Sequence, residues 1–159
     1  MMHGPENILH IRCGKRTDAP ALRALSLAVA GSTHNQKDQE VSQDLTKKEI
    51  QHWRRLASDP ALDFYVAEQA GSLQGMILVC YLRSLHTPGW RASLDITILA
   101  SAAEEIGQAL LDFAKARARK RGCQVIDLQA CNAPALGGEA LLKRNGFSSA
   151  GTLLSCPLC

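Results

Sequence analysis

Aromatic side chains are few in this sequence: two Trp, two Tyr and three Phe among 159 residues. So few rings cannot build the stacking surface on which single-stranded nucleic acid is usually held. No apolar run approaches the roughly 20 residues that a membrane-spanning helix needs. The opening Met1-Met2-His3-Gly4-Pro5-Glu6-Asn7 lacks the basic-then-apolar pattern of a secretory signal. The expectation is a soluble cytoplasmic protein whose six cysteines are mostly reduced thiols, not a disulfide framework. Neither sign of charge is in large excess, and a net charge of +3 neither requires nor excludes an anionic partner. Ligands for zinc are short as well. Cys156-Pro157-Leu158-Cys159 has Cys-x-x-Cys spacing, but no second Cys or His pair stands at a matching distance. No metal is expected, and the pair reads as a frayed tail.

The ordinary apolar and charged fractions exclude global disorder, and the length suits one domain with a single core. Residues 1–7 and 157–159 are read as flexible ends. Ile8 to Cys13 alternates and reads as a strand. Thr17 or Asp18 can cap the next helix, with Pro20 in its first turn and Leu22, Leu25, Leu27 and Val29 on its buried side. The polar stretch from Gly31 to Asp44 reads as a loop. Leu45 to Ala57 reads as a helix with Leu45, Ile50, Trp53 and Leu56 inward, stopped by Asp59-Pro60. Phe64 to Glu68 and Leu73 to Leu82 form a hairpin turned at Gly71-Ser72.

Ala92 to Leu99 is the next strand, and a helix follows from Ala102 to Arg121. Arg117, Arg119, Lys120 and Arg121 oppose the negative end of that helix's dipole, and Gly122 can take the left-handed cap. The run from Lys115 to Arg121 reads as a solvated helix end rather than a nucleic-acid patch. Gln124 to Ala130 is a strand, Gly138 to Arg144 a short helix, and Phe147 to Cys156 a final strand. The order β-α-α-β-β-β-α-β-α-β, without an internal repeat, describes one α/β domain, a mixed sheet with helices on its faces.

This order resembles the GNAT superfamily, the acetyl-CoA-dependent N-acetyltransferases. Ile11-Arg12 with Asp18-Ala19-Pro20-Ala21-Leu22 and Leu25 is similar to its first strand and helix. Val66-Ala67-Glu68 with Gly71, Gly75 and Met76 is similar to its central hairpin. Trp90-Arg91-Ala92-Ser93-Leu94-Asp95 resembles the entry to its fourth strand. Arg121-Gly122-Cys123, Leu128 and Lys143-Arg144-Asn145-Gly146-Phe147 resemble its fifth strand and closing Gly-Phe.

The resemblance implies acetyl transfer from acetyl-CoA, as co-substrate, to a primary amine of a small molecule or peptide. It implies a cofactor site at Ile98, Leu99, Ala100, Ile106, Gly107, Gln108 and Asn132, with amides near Leu99 and Ala100 polarising the acyl carbonyl. Asp95 would take a proton from the amine through water, with Glu68 a second candidate. Cys131 would stand where a tyrosine acid is missing, because the family's usual Tyr position holds Leu142. Asp95 reads equally as a solvent-facing strand residue, and Cys131 as a small buried thiol. His86 near Trp90 reads first as a surface-loop histidine and second as a candidate lining of an acceptor pocket. No nucleic acid or membrane partner is implied, and the oligomeric state is left open between monomer and homodimer.

A strand feeding a helix through a tight turn is a common phosphate site, because the first helical amides point outward unpaired. Here the family's Arg/Gln-x-x-Gly-x-Gly/Ala motif is reduced to Ala102-Ala103-Glu104-Glu105-Ile106-Gly107, where Gly107 alone survives. Ser101-x-x-Glu104 is a capping-box pattern that would occupy the same amides. A unit repulsion at 4 Å costs about 4 kcal/mol at an effective dielectric near 20. Weak cofactor binding is therefore expected. The alternative is a catalytically silent GNAT-fold binding or regulatory module.

Overall fold

The strand expected from Ala92 to Leu99 alternates cleanly in space. In the computed structural model Ala92, Leu94, Ile96 and Ile98 are buried. The residues between them point to the opposite face, as a period of two requires. The structure describes residues 8–33, 45–86, 88–98, 103–129, 138–149 and 156. Their order is β1 (Leu9–Cys13), a 3-10 turn (Arg16–Asp18), α1 (Ala19–Thr33), α2 (Lys47–Leu56), β2 (Leu62–Gln69), β3 (Ser72–Arg83), β4 (Trp90–Ile98), α3 (Ala103–Lys120), β5 (Cys123–Leu128) and α4 (Glu139–Arg144).

The five strands lie in the order β1-β2-β3-β4-β5. All neighbours are antiparallel except β4 and β5, which are parallel. The expected parallel pairing of these two strands, with α3 connecting them, is present. The sheet separates two apolar clusters. On one face Ala92, Leu94, Ile96 and Ile98 pack with Ile106, Leu110, Leu111, Ala114 and Ala118 of α3 and Leu141 of α4. On the other face Leu22 and Leu25 of α1 pack with Phe64, Val66 and Met76, and Trp53 and Leu56 of α2 cover them.

Several boundaries differ from expectation. Asp18 does not simply cap α1: it accepts from the Lys15 amide at 2.7 Å and from Arg12, closing the 3-10 turn that precedes the helix. α1 continues through Gly31 to Thr33, where a loop was expected. Leu27 is exposed, because a residue two positions after buried Leu25 lies on the far side of a helix. α2 begins after Thr46, whose hydroxyl accepts from the Glu49 amide while Glu49 accepts from the Thr46 amide. The hairpin turns on Ala70 and Gly71. Gly122 has φ +76°, the left-handed cap expected at the end of α3. Phe147 to Ser149 is not strand; the remainder of the expected last strand, residues 150–155, lies outside the described residues.

Gly75 sets how closely the sheet meets α3. A Cβ built there would stand 3.2 Å from Ile106 Cγ2, 3.3 Å from Leu110 Cδ1 and 3.3 Å from the Thr97 carbonyl oxygen. A side chain there would press on the first turns of α3, which rest closely on β3.

Candidate active site

β3 follows β4 along its whole length, from Arg83 opposite Trp90 to Gly75 opposite Ile98. β5 does not. It pairs with β4 only from Trp90 to Leu94, where Leu94 stands opposite Leu128. Just before the strands part, Arg91 of β4 holds Asp127 of β5 through bonds of 2.7 and 2.9 Å. From Asp95 to Ile98 the β5-side edge of β4 has no strand partner among the described residues. A strand edge of this kind offers backbone donors and acceptors to an extended ligand. α3 begins five residues beyond Ile98, so its first turn stands at the open end of the parting.

The expected cofactor residues divide accordingly. Ile98 and Ile106 are almost fully buried, and Gly107 is buried beside them, so only their backbone can face a ligand. Gln108 is committed elsewhere: it exchanges amide hydrogen bonds with Asn145 at 2.9 and 2.8 Å and donates to Asp112 at 3.0 Å. Lys115 donates to the Asn145 carbonyl at 2.6 Å, and its ammonium stands 5.6 Å from the Phe147 ring. Gln108 thus docks the end of α4 onto α3. Leu99, Ala100, Cys131 and Asn132 lie outside the described residues, as does Ser101 of the expected capping box.

Asp95 is exposed on the sheet face that carries α1, opposite Leu78. Neighbouring Cys80 feels it: burial first, then the Asp95 and Asp59 carboxylates, push the Cys80 thiol up. Leu142, at the missing tyrosine's position, packs against the α3-face cluster. Glu68 accepts from Arg12 Nε at 2.7 Å, and Arg12 also grips Asp18. His86 is exposed, and Trp90 takes the Arg83 guanidinium over its ring at 4.3 Å. Trp90 opens β4, at the end of the strand opposite Ile98.

Two arrangements had no signal in the sequence. Glu104 is not an uncompensated charge: Arg144 at the end of α4 donates to it at 3.1 Å. The basic run is not merely solvated. Arg117 and Arg121 reach back to buried Asp63 on β2, which also accepts from the Tyr81 hydroxyl. Burial, then the Asp63 carboxylate, hold the Tyr81 hydroxyl far above the usual tyrosine range. Cys13, Cys80, Cys123 and Cys156 are free thiols.

Two grooves lie away from the parting. One of about 270 Å³ runs between Lys115, Arg119, β5 and Phe147. The other, about 500 Å³, lies between α1 and the β2–β3 turn, over the Arg12–Asp18–Glu68 contacts. Neither is lined by Asp95 or by the first turn of α3. No described helix is long and apolar enough to cross a membrane.

A five-stranded mixed sheet with α3 joining its one parallel pair defines the class among the described residues: a mixed α/β fold with helices on both faces. The chain belongs to the acetyltransferase (GNAT) family, whose model matches residues 28–147. No curated protein matches the chain in sequence. Solved structures agree on the fold. A transcriptional regulator from Bacillus halodurans C-125 superposes with a TM-score of 0.76 at 20% identity, over 95% of this chain and 100% of that one. A predicted acetyltransferase from Clostridium acetobutylicum, with acetyl-CoA, has a TM-score of 0.66 at 15% identity, over 94% and 96%. An aminoglycoside acetyltransferase from an uncultured soil metagenomic sample, in complex with sisomicin, has a TM-score of 0.68 at 16% identity, over 97% and 99%.

Proposed function

We propose that this protein transfers an acetyl group from acetyl-CoA to a primary amine of a small molecule or peptide. The observation that carries the reading is the β4 edge from Asp95 to Ile98, which has no strand partner on its β5 side among the described residues, with α3 starting five residues beyond it. The residues present fit the co-substrate. The β4 edge from Asp95 to Ile98, without a strand partner on its β5 side among the described residues, suits its amide-bearing arm, and Arg144 supplies a cation beside the first turn of α3. Acetyl-CoA supplies, when bound, an acyl group already activated as a thioester. The chain's part is to hold that group against the β4 edge and to bring the amine beside it. Asp95, exposed on β4, accepts the amine's proton through water. Likeness to the acetyl-CoA and aminoglycoside structures supports a small-molecule amine as acceptor.

The test is direct. Acetyl-CoA should raise the melting temperature, because a ligand at one hundred times its Kd stabilises by about 2.7 kcal/mol. Thiol release should then depend on an added amine panel, with Asp95→Asn lowering kcat and leaving the acetyl-CoA Kd unchanged. A melting temperature unmoved by acetyl-CoA at millimolar concentration would overturn the reading.

A further inference from the structure

The first turn of α3 carries Glu104 and Glu105, both exposed. An anion arriving there meets two negative charges against the partial positive end of the helix. Among the described residues, ion pairing brings one cation to that turn. Arg144, forty residues away in the chain, donates from Nη2 to Glu104 Oε1 at 3.1 Å. Its neighbour Lys143 is turned instead to Glu139, at 3.8 Å.

Two features distinguish Arg144 from a merely decorative surface charge. Its backbone is fixed. The following residue, Asn145, is held by Gln108 and Lys115 of α3, and Leu141 one turn earlier is buried in the core. Its side chain is loosely held. The Arg144 side chain is 58% exposed and that of Glu104 72% exposed, and the hydrogen bond to Glu104 uses one of five N–H donors. An exposed pair of this kind is weak and easily screened. A phosphate, more highly charged and with several acceptor oxygens, competes well for a guanidinium.

We propose that Arg144 is a phosphate-contacting residue of the co-substrate site and that Glu104 is its resting partner, released when the anionic part of coenzyme A arrives. This rests on the acetyltransferase reading above. Arg144 thereby brings a cation from α4 to a stretch, Leu99 to Gly107, whose own sequence has none. Removing Arg144 leaves Glu104 and Glu105 facing the anion unopposed. Neutralising Glu104 frees Arg144 and removes one repulsion.

Calorimetric titration of the full chain with coenzyme A, at low and at high salt, tests this. Arg144→Ala should weaken binding about tenfold at low salt, and the loss should shrink as salt rises. Glu104→Gln should tighten binding about threefold at low salt. A merely structural role for Arg144 would give the same loss at every salt concentration, and that result would overturn the proposal. So would unchanged affinity in Arg144→Ala, or weaker affinity in Glu104→Gln. In each of those outcomes the wild type still binds coenzyme A and the acetyltransferase reading stands. A wild type that binds no coenzyme A overturns both.

Discussion

Asp63 shows what a single buried charge does here. Its side chain is 8% exposed and meets three partners: the Tyr81 hydroxyl, Arg121 Nη2 at 2.9 Å and Arg117 Nε at 3.4 Å. The two arginines keep about a third of their surface in water, which screens their attraction. They also lie over rings, Arg121 4.4 Å from that of Tyr81 and Arg117 5.8 Å from that of Tyr65. Taking the carboxylate away leaves two cations and a buried hydroxyl short of their acceptor. Asp63→Asn should therefore destabilise the fold by about 2–3 kcal/mol, read as a lower urea midpoint with an unchanged slope. A loss below about 0.5 kcal/mol, the size of an ordinary surface change, would mean the cluster contributes only packing.

At the scale of elements, the contact between α3 and β3 places the first turn of α3 beside the strand parting. Gly75→Ala should destabilise by about 1–3 kcal/mol through overpacking. Ile106 and Leu110 can shift their side-chain ends, but the Thr97 carbonyl is backbone and cannot. The same substitution should weaken coenzyme A binding by displacing the helix start. Denaturation and titration on one sample check both effects, and full stability with full affinity would show that the contact has slack. Such contacts mark the boundary of what the sequence made legible. Alternation exposed β4 because every second residue is apolar, and Gly122 announced the end of α3 because only a left-handed cap closes that helix there. The Asp63–Arg121 and Glu104–Arg144 pairs span 58 and 40 residues, and no local pattern encodes a partner that far away. The sequence therefore showed Lys115 to Arg121 as a charge run, where the fold uses Arg117 and Arg121 as ties to β2. The partner of the Gln108 side chain, Asn145, lies beyond α3 and β5 and was likewise not legible.

Across the whole molecule, α3 is held unevenly along its length. Its far end is tied by Arg117 and Arg121 to Asp63, and its middle by Gln108 and Lys115 to Asn145. Its near end, with Glu104 and Glu105, is exposed and joined to α4 by a weak surface pair. Ile106 packs that end on β3, but the first turn has no buried ion-pair tie like those farther along, so stability is expected to fall along the helix toward it. Native-state hydrogen exchange should show this directly. Amides from Leu111 to Lys120 should open with a larger part of the global unfolding energy than those of the first turn, Ala103 to Ile106. Acetyl-CoA should slow exchange most in that first turn and along Asp95 to Ile98, where β4 lacks a strand on its β5 side among the described residues. It should slow exchange little at the β2–β3 turn, although the groove beside that turn holds about 500 Å³. The proposed site rests not on volume but on the β4 backbone from Asp95 to Ile98, which no described strand pairs on its β5 side. Protection gained at Gly71 and Ser72 instead, with Asp95 to Ile98 unchanged, would move the binding site to the α1 groove and remove the basis for assigning Asp95 and Arg144 to it.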